Sequence, residues 1–445
     1  MTYTGMTSAG LLKTLSSPQA DAVLEPVYGP DGGASRRRYE ALLCGLRDLG
    51  RAAFPETEGA VRVFSAAGRT ELGGNHTDHN LGKVIAAAVQ FDIAAVVAPR
   101  PDKKVFFRSA GFPDVAVDLA DLSVKPEETG TTAALVRGVA AEFEKRGVAV
   151  SGWSANADSA IPPGSGLSSS AAVEVLLGKI FDCLFSDGKR SALEIAQIGQ
   201  IAENVYFGKP SGLMDQTACA SGGAVAIDFH DADRPLVRQI SFDPFPCGYA
   251  PVIVNTGGSH AGLTPDYAAI PAEMRSVAKV FAQETLAGTT LPEILRNIPK
   301  IRASCGDRAL IRAIHFHNEN KRVDQMYGLM QKIDSERDPS AKESYFREYL
   351  ALVNESGHSS WELLQNMYSP SRRDQALCAG LAATREFLNN SGACRIHGGG
   401  FAGAIQAYIP LERIAEYCGY MDAIFGRGAT TVLKIRPVGT AEVLF

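Results

Sequence analysis

A stretch of glycine and serine residues is the first feature of this chain that could do chemistry. Residues 162–171 read Pro-Pro-Gly-Ser-Gly-Leu-Ser-Ser-Ser-Ala, and the apolar spacing of residues 172–184 predicts a buried helix directly after them. Unpaired N–H groups at a helix N-terminus attract anions, so the loop could cradle a phosphate. The alternative is an ordinary turn capped by a serine hydroxyl.

Two better-known phosphate motifs do not explain this chain. Its four Gly-Lys pairs, at Gly82, Gly178, Gly188 and Gly208, are followed by Val, Ile, Arg and Pro, whereas a P-loop requires Ser or Thr. Residues 398–403 satisfy G-x-G-x-x-G, but the chain ends at residue 445, too soon for a dinucleotide domain. We therefore interpret residues 398–403 as a tight glycine turn that faces a ligand or another loop.

A polar loop between two glycine turns is a second candidate. Residues 69–82 contain Arg69, Asn75, His76, Asp78 and His79. Converging donors and acceptors of this kind suit a polyhydroxylated small molecule. The two histidines could instead bind a metal, but no third ligand is obvious, so hydrogen bonding is favoured.

Two acidic residues flank a third glycine-rich turn, residues 208–212. Glu203 precedes the turn and Asp215 follows it. Near a phosphate cradle, one carboxylate could hold Mg²⁺ while the other accepts a hydroxyl proton. Both could also be helix caps, since acidic residues are common at helix ends.

The elements that must position these loops can be predicted in outline. Apolar β-branched segments at 61–66 and 84–97 predict strands around the polar loop 68–82. Residues 192–206 and 213 onward are expected to be helical, residues 235–270 strand-like, 272–390 mainly helical, and 404–409 and 431–436 strands. Residues 1–40 are expected to form an N-terminal arm in which Arg36, Arg37 and Arg38 begin a solvated helix.

Composition excludes several classes of protein. The 445 residues are 45% hydrophobic and carry a formal net charge of −5. The chain therefore lacks the overall excess of basic residues that is typical of proteins that bind nucleic acid or an anionic membrane. No apolar stretch reaches membrane-spanning length, and the N-terminus lacks a signal-peptide pattern. The eight cysteines are scattered without a zinc-like cluster. We therefore expect a cytoplasmic protein. A monomer is the expected oligomeric state.

Taken together, these loops resemble the GHMP small-molecule kinases, and within them the galactokinases. The chain reads G-R-T-E-L-G-G-N-H-T-D-H-N from residue 68, which is similar to the family signature G-R-V-N-L-I-G-E-H-T-D-Y-N. The family's phosphate loop P-x-G-x-G-L-S-S-S-A-A is similar to residues 162–172, and G-I-M-D-Q to residues 212–216. Residues 395–403 resemble R-M-T-G-G-G-F-G-G, so the likeness extends from about residue 60 to the C-terminus.

The resemblance implies an α+β fold of two domains, residues 41–235 and 236–445, with ATP and a sugar in the cleft between them. It implies a catalytic base at Asp215 with Arg69 beside it. Mg²⁺ is expected on Ser170 and Glu203. The residues that match sugar contacts are Asn75, His76, Asp78, Gly212 and Tyr267, and those of the ATP loop are Pro163, Gly164, Ser165, Gly166, Leu167, Ser168, Ser169 and Ser170.

One departure bears on the substrate. Asn75 stands where the family has a glutamate that binds the sugar's C6 hydroxyl. An amide both donates and accepts, so it could hold a hydroxyl or tolerate a C6 carboxylate. Three functions follow: phosphorylation of galactose at C1, the same reaction on galacturonate, N-acetylgalactosamine or arabinose, or a non-catalytic sugar sensor. His79, Ala67, His397 and Ala402 also differ from the family pattern.

Overall fold

The computed structural model describes residues 6–48, 60–232, 234–258 and 262–445. Within them the strands are β1 Met6–Thr7, β2 Ala60–Gly73, β3 Lys83–Pro99, β4 Lys104–Ser109, β5 Val115–Asp118, β6 Trp153–Ser159, β7 Ala224–Asp228, β8 Leu236–Ile240, β9 Tyr249–Asn255, β10 Ala393–His397, β11 Ala404–Pro410, β12 Thr430–Val432 and β13 Ala441–Val443.

The α-helices of these residues are α1 Ser8–Leu15, α2 Gln19–Tyr28, α3 Ala34–Asp48, α4 Thr132–Lys145, α5 Ser169–Phe185, α6 Ala192–Ile201, α7 Met214–Ser221, α8 Thr264–Lys279, α9 Leu291–Arg296, α10 Ile298–Cys305, α11 Asp307–Ser335, α12 Pro339–Ser359, α13 Ala376–Leu388 and α14 Ile414–Phe425. Two π-helical turns, Ala202–Phe207 and Ser360–Leu364, extend α6 and α12.

Two long strands organise a nine-stranded sheet in the order β1-β2-β3-β6-β4-β5. Strand β3 is long enough to pair with β6 at one end and β7 at the other, and β8 continues the sheet from β7. Strand β13 returns from the C-terminus to pair with β2. One face of the sheet packs on α4, α5, α6 and α7 around a core that includes Phe64, Trp153 and Phe181.

A second, antiparallel sheet has the order β10-β11-β9-β12. Helices α13 and α14 cover it, with Leu381, Tyr417 and Met421 in the core between them. Helices α11 and α12 pack against both sheets through Met326 and Tyr349, of which Tyr349 contacts Tyr408 of β11, and they thereby join the halves of the molecule. The predicted α+β class is thus confirmed.

The predicted loop 68–82 is wrong over its first residues, because β2 continues to Gly73. Residues 69–73 pair with residues 85–88 of β3, with register shifts on either side of Thr70. The polar types of Arg69, Thr70 and Glu71 indicated a loop, but each finds a distant side-chain partner in the interior. A buried strand tolerates polar residues when such partners exist.

The arginine run at 36–38 is not simply solvated. Arg37 is exposed, but Arg38 pairs with Asp92 at 2.5 Å and with Asp158 at 3.1 Å. Helix α3 packs on β3 and β6, which turns Arg38 inward. The predicted arm consists of α1, α2 and the start of α3, and α3 runs across its expected end at residue 40.

The predicted division at residue 235 remains a prediction. Strand β8 begins at Leu236 and belongs to the large sheet. The strand-like region 235–270 comprises β8 and β9 and ends in α8, which begins at Thr264. Among the described residues, no helix is long and apolar enough to span a membrane.

Candidate active site

The glycine- and serine-rich loop is fixed to β2 by its backbone. Gly164 and Gly166 have φ of 71° and 72°, a conformation that favours glycine. The carbonyl of Leu167 accepts from the Arg69 N–H at 3.0 Å. A Cβ on Gly68 would lie 2.8 Å from that carbonyl oxygen, so only glycine lets loop and strand approach this closely.

Ser168 occupies the N-cap position of α5 without capping it. Its backbone is left-handed, with φ 55°, and its side chain makes no cap hydrogen bond. Its hydroxyl instead donates to Asp215 Oδ2 at 2.5 Å. The interpretation as an ordinary serine-capped turn is therefore wrong. The first N–H groups of α5 stay available to an anion.

Arg69 and Asp215 form a two-pronged ion pair. Arg69 Nε donates to Asp215 Oδ1 at 2.7 Å and Nη2 to Oδ2 at 2.5 Å, while Nη1 donates to the carbonyl of Gly166. Burial raises the pKa of Asp215, but the Arg69 charge and hydrogen bonds outweigh it, so the net pKa lies below its usual range. The Asp215 side chain is still 32% exposed, which gives a ligand access to a charged carboxylate.

Residues of the second half face the phosphate loop across a cleft. Cβ atoms on Gly164 and Gly166 would each lie 2.9 Å from a neighbour, Asn255 Nδ2 and His397 Nδ1 respectively. His397 is buried, and burial followed by the charge of Arg69 lowers its pKa to about 3. The imidazole therefore stays neutral between two arginines.

The predicted sugar-contacting residues gather at the glycine turn 398–400 and the turn 208–212. His76 Nε2 donates to the carbonyl of Gly399 at 2.7 Å, and the Tyr267 hydroxyl donates to the carbonyl of Gly400 at 2.6 Å. A Cβ on Gly212 would overlap the Asp78 carboxylate. The contact of Asp78 with Gly212 brings the polar loop close to Asp215.

His76 is neutral and has one uncommitted nitrogen. Because Nε2 donates to a carbonyl, Nδ1 carries the lone pair, and it has no hydrogen-bond partner in the described residues. Burial and then the neighbouring His79 lower the pKa of His76 to about 4. The side chain can thus accept a hydrogen bond if the local packing opens.

Asn75 lies in the interior, and its hydrogen bonds stay within the protein. Its Nδ2 donates to Glu71 Oε1 at 3.2 Å and to the carbonyl of Gly398 at 2.8 Å. Its Oδ1 accepts from Asn366 at 2.9 Å and Ser360 at 3.3 Å. The side chain is fully buried. A bond to a substrate hydroxyl would require one of these partners to be given up.

The carboxylate of this region sits four residues earlier, at Glu71. Burial raises the pKa of Glu71, but it pairs with Arg395, which is completely buried. A second pair, Glu319 with Arg322, lies on the other side of Asn75, and Glu319 also accepts from the Gly74 and Asn75 N–H groups. Positions 71 and 75 thus hold Glu and Asn where the family signature has Asn and Glu, and the two side chains are bonded to each other.

Glu203 lies on the π-helical turn after α6, in a cluster of polar groups. Its Oε1 accepts from Lys209 at 2.8 Å, and its Oε2 accepts from Gln216 at 3.0 Å and from Ser211. Gln216 also donates to Glu174 at 2.8 Å. Burial and then the charge of Glu203 raise the pKa of Glu174 to about 9, so this second carboxyl is uncharged at neutral pH.

This cluster fits a magnesium ion in its donor chemistry. Ser170 lies one helical turn before Glu174 on the same face of α5, and Gln216 donates to both Glu174 and Glu203. Carboxylate and hydroxyl oxygens are the ligands that Mg²⁺ prefers. The Lys209 ammonium already stands at Glu203, whose side chain is 3% exposed, so the position accommodates a cation.

The structure therefore brings most predicted residues to one cleft. Asp215 bonds to both Arg69 and Ser168. Close by, Asp78 lies against Gly212, and His76 and Tyr267 donate to neighbouring carbonyls of the turn 398–400. Leu167 contributes backbone, since its side chain is in the core. Sequence reasoning missed the partners Glu71, Glu174, Lys209, Gln216, Asn366 and Arg395. Gln216, Arg395 and Glu71 lie within the quoted motifs and Lys209 within the turn 208–212, but their pairings had no local signal.

Comparisons with known proteins identify the family of this chain. Residues 134–223 match the family described as GHMP kinases N terminal domain, and residues 51–99 match the galactokinase galactose-binding signature. Galactokinase from Actinobacillus pleuropneumoniae is 30% identical over 358 residues, which cover 80% of this chain and 87% of that protein. Galactokinase from Streptomyces coelicolor is 31% identical over 276 residues, 61% of this chain and 70% of that protein.

Solved structures show the same fold. Lactococcus lactis galactokinase complexed with galactose matches with a TM-score of 0.73 at 24% identity, over 90% of this chain and 99% of that one. A mevalonate kinase matches with a TM-score of 0.56 at 15% identity, over 84% and 98% of the two chains. The shared fold and the family matches define the class as GHMP kinases.

Within that class, the chain belongs to the galactokinase family. It is an ATP-dependent sugar kinase, as the sequence predicted. The alternative of a non-catalytic sugar sensor is set aside, because the enzyme class is that of the relatives.

Proposed function

We propose that this enzyme transfers the γ-phosphoryl group of ATP to the C1 hydroxyl of galactose, giving galactose 1-phosphate and ADP. The observation that carries the proposal is the contact of Arg69, Ser168 and Asp215 at the uncapped N-terminus of α5. A charged carboxylate lies there beside a site built for phosphate. The sugar is the one named for the bacterial relatives.

In this proposal Asp215 acts as the base. As the bond between the sugar O1 and the γ-phosphorus forms and the bond to the β,γ-bridging oxygen breaks, Asp215 receives the C1 hydroxyl proton. Arg69 keeps the carboxylate deprotonated beforehand. Arg69 also offsets charge on the reacting oxygens through its remaining N–H groups. The N–H groups at the start of α5 bind the phosphate oxygens.

Ser170 and Glu203 are proposed to hold Mg²⁺, which would neutralise charge on the ATP phosphates. Asp78, His76, Gly212 and Tyr267 are proposed to bind the sugar. Asn75 is proposed to act at the same end of the site, by holding Glu71 and the glycine turn in place rather than by a free amide. A cytoplasmic location and a monomeric state stay predictions.

The state of Asn75 favours one alternative substrate class. With both ends of its amide engaged, no free group of Asn75 is left for a C6 substituent. Of the alternatives arabinose, galacturonate and N-acetylgalactosamine, arabinose is therefore the second candidate, because it has no C6 group to bind. L-Arabinose shares galactose's ring stereochemistry but lacks the C6 group, so it tests this point directly.

The deciding experiment measures Mg²⁺-dependent ATP consumption with galactose, glucose, galacturonate, N-acetylgalactosamine and L-arabinose. We expect turnover on galactose and a loss of about 10²–10⁴-fold in kcat for Asp215→Asn. Asn keeps the shape and one hydrogen bond to Arg69, but the lost ion pair lowers the unfolding midpoint, so the variant is assayed at a temperature where it is fully folded. Turnover confined to another sugar would transfer the proposal to that sugar, and full activity of Asp215→Asn would remove the base assignment.

A further inference from the structure

Lys209 projects from the turn 208–212 onto Glu203. Its Nζ lies 2.8 Å from Glu203 Oε1. The two side chains differ in exposure, since that of Lys209 is 58% exposed and that of Glu203 3%. A buried carboxylate is thus neutralised by a cation that enters from the solvent side of the cleft.

The π-helical turn explains why residue 209 lies over residue 203. The wide turn Ala202–Phe207 ends at Gly208, whose φ of 85° reverses the chain. The Glu203 carbonyl then accepts both the Gly208 N–H at 2.9 Å and the Lys209 N–H at 3.1 Å. Backbone and side chain of Lys209 are therefore both held by Glu203. Turns of this type recur at functional sites.

A metal ion that binds Glu203 comes close to the hydrogen-bond partners already there, and the one that it repels most is the Lys209 ammonium on Oε1. Gln216 is 1% exposed and is also held by Glu174, so it cannot leave readily. Ser211 is tied to Asn204 through its own N–H at 2.7 Å. Lys209 has a flexible four-carbon stem and a largely exposed side chain. Lys209 is accordingly the partner that gives way.

The neighbouring phosphate loop lacks a cation of its own. Residues 162–171 contain no Lys or Arg. Arg69 uses three of its five side-chain N–H groups on Asp215 and Gly166, so only two remain for phosphate oxygens. A nucleotide triphosphate brings several negative charges to this loop, and a lysine is a common point-charge partner for phosphate. Lys209 lies close enough to Asp215 to contribute to the lowered pKa of that carboxyl, and Asp215 accepts from Ser168 of the loop. The displaced ammonium would therefore lie near the bound phosphates.

We propose that Lys209 is the phosphate-binding lysine of this active site. It neutralises Glu203 while the cleft is empty, and it donates to the terminal phosphates of ATP once a divalent cation takes its place on Glu203. The proposal rests on the proposed function only in assigning Glu203 to the metal and residues 163–170 to ATP.

The test compares Lys209→Met and Lys209→Arg with the full-length enzyme, using Lys189→Met as the control. Lys189 is an exposed lysine paired with Asp187 at 2.9 Å. Electron paramagnetic resonance measures Mn²⁺ binding without nucleotide. Calorimetry measures the binding of ATP and of adenosine. Neither readout requires sugar turnover.

We expect Lys209→Met to bind Mn²⁺ about tenfold more tightly, because the competing ammonium is gone, and ATP about tenfold more weakly, with adenosine binding unchanged (tenfold being 1.4 kcal/mol). Lys209→Arg should retain most of the ATP affinity. Unchanged ATP affinity in Lys209→Met, or Mn²⁺ affinity that stays level or falls, would overturn the proposal. A wild-type enzyme that binds both ligands but phosphorylates no sugar would overturn the proposed function instead.

Discussion

Asp215 depends on Arg69 for its charge. Burial alone would raise the pKa of this carboxyl, and the two-pronged contact with Arg69 reverses that effect. The deprotonated form is therefore present above a pKa that lies below 3.8, the ordinary value for Asp, and is lost only as the pH falls through it.

Arg69→Gln removes the charge but keeps a hydrogen-bonding side chain. With burial no longer offset, the pKa of Asp215 rises, so we expect the acid limb of the kcat/KM profile to move to higher pH and kcat to fall about 10²-fold or more. Measuring the profile from pH 4 to 9 checks this. Arg69→Lys is the control, because it retains the positive charge and should move the limb less. A loss of rate with an unmoved acid limb would contradict this role.

The side chains of Glu71 and Asn75 are coupled, so a substitution at one of the two positions destabilises the protein unless the other position changes with it. Asn75→Glu would put a second carboxylate within hydrogen-bond distance of Glu71 in a fully buried site, where two charges repel. We expect a loss of about 3 kcal/mol in the free energy of unfolding. Adding Glu71→Asn recreates the family's arrangement and should recover at least about 1 kcal/mol, as a double-mutant cycle in urea would show. Additive costs would disprove the coupling.

At the scale of elements, the phosphate loop takes its position from β2. The N–H of Arg69 bonds to the Leu167 carbonyl, and Gly68 leaves room for that contact. Strand β2, the phosphate loop and helix α5 therefore form one structural unit. This unit positions both the ion pair of Arg69 with Asp215 of α7 and the uncapped N-terminus of α5.

Gly68→Ala tests this unit. Its Cβ would lie 2.8 Å from a backbone oxygen, so the loop must shift. We expect the KM for ATP to rise about tenfold, with a stability cost of about 1–3 kcal/mol. Gly419→Ala in α14, where nothing lies within 4 Å of the added carbon, is the matched control; it should leave the KM for ATP unchanged and raise stability slightly, since Ala favours a helix. An unaltered KM for ATP in Gly68→Ala would show that the loop does not depend on this contact.

At the scale of the whole molecule, distant parts of the chain converge behind the large sheet. Asp92 on β3 is 1% exposed and accepts from Tyr28 and Arg38 of the N-terminal helices, and it also pairs with Arg436 near the C-terminus at 3.4 Å. Strand β13 adds to β2 in the same region. Both ends of the chain are thereby fixed to the sheet that carries Arg69.

Arg38→Met removes one partner of this buried carboxylate. We expect a loss of about 2–4 kcal/mol in the free energy of unfolding, because the buried Asp92 carboxylate loses its nearest cation. Urea denaturation measures this, and Arg37→Met, at an exposed neighbour, should change stability by less than about 0.5 kcal/mol. Equal effects of the two substitutions would show that the ion pair contributes nothing.

The sequence by itself determined the features that depend on local chemistry. Helices α5 and α7, strand β11 and the three glycine-rich turns follow from spacing and residue type, and the ordered motifs indicated the family, the α+β class and the candidate residues Arg69 and Asp215. These signals survive in a single sequence because glycine turns, helix starts and apolar periodicity are properties of neighbouring residues.

Only the tertiary structure decided which partners the polar side chains take. Ser168 donates to Asp215 rather than capping its own helix. The Asn75 amide hydrogen-bonds to residues up to 323 positions away, and the Lys209 ammonium pairs with Glu203. A polar side chain has several possible partners along the chain, and its choice is set by which strands and helices meet in three dimensions. The types and order of the residues in the motifs therefore determine the class of reaction. The fold determines which partners each polar side chain of the site has, and thereby its protonation state.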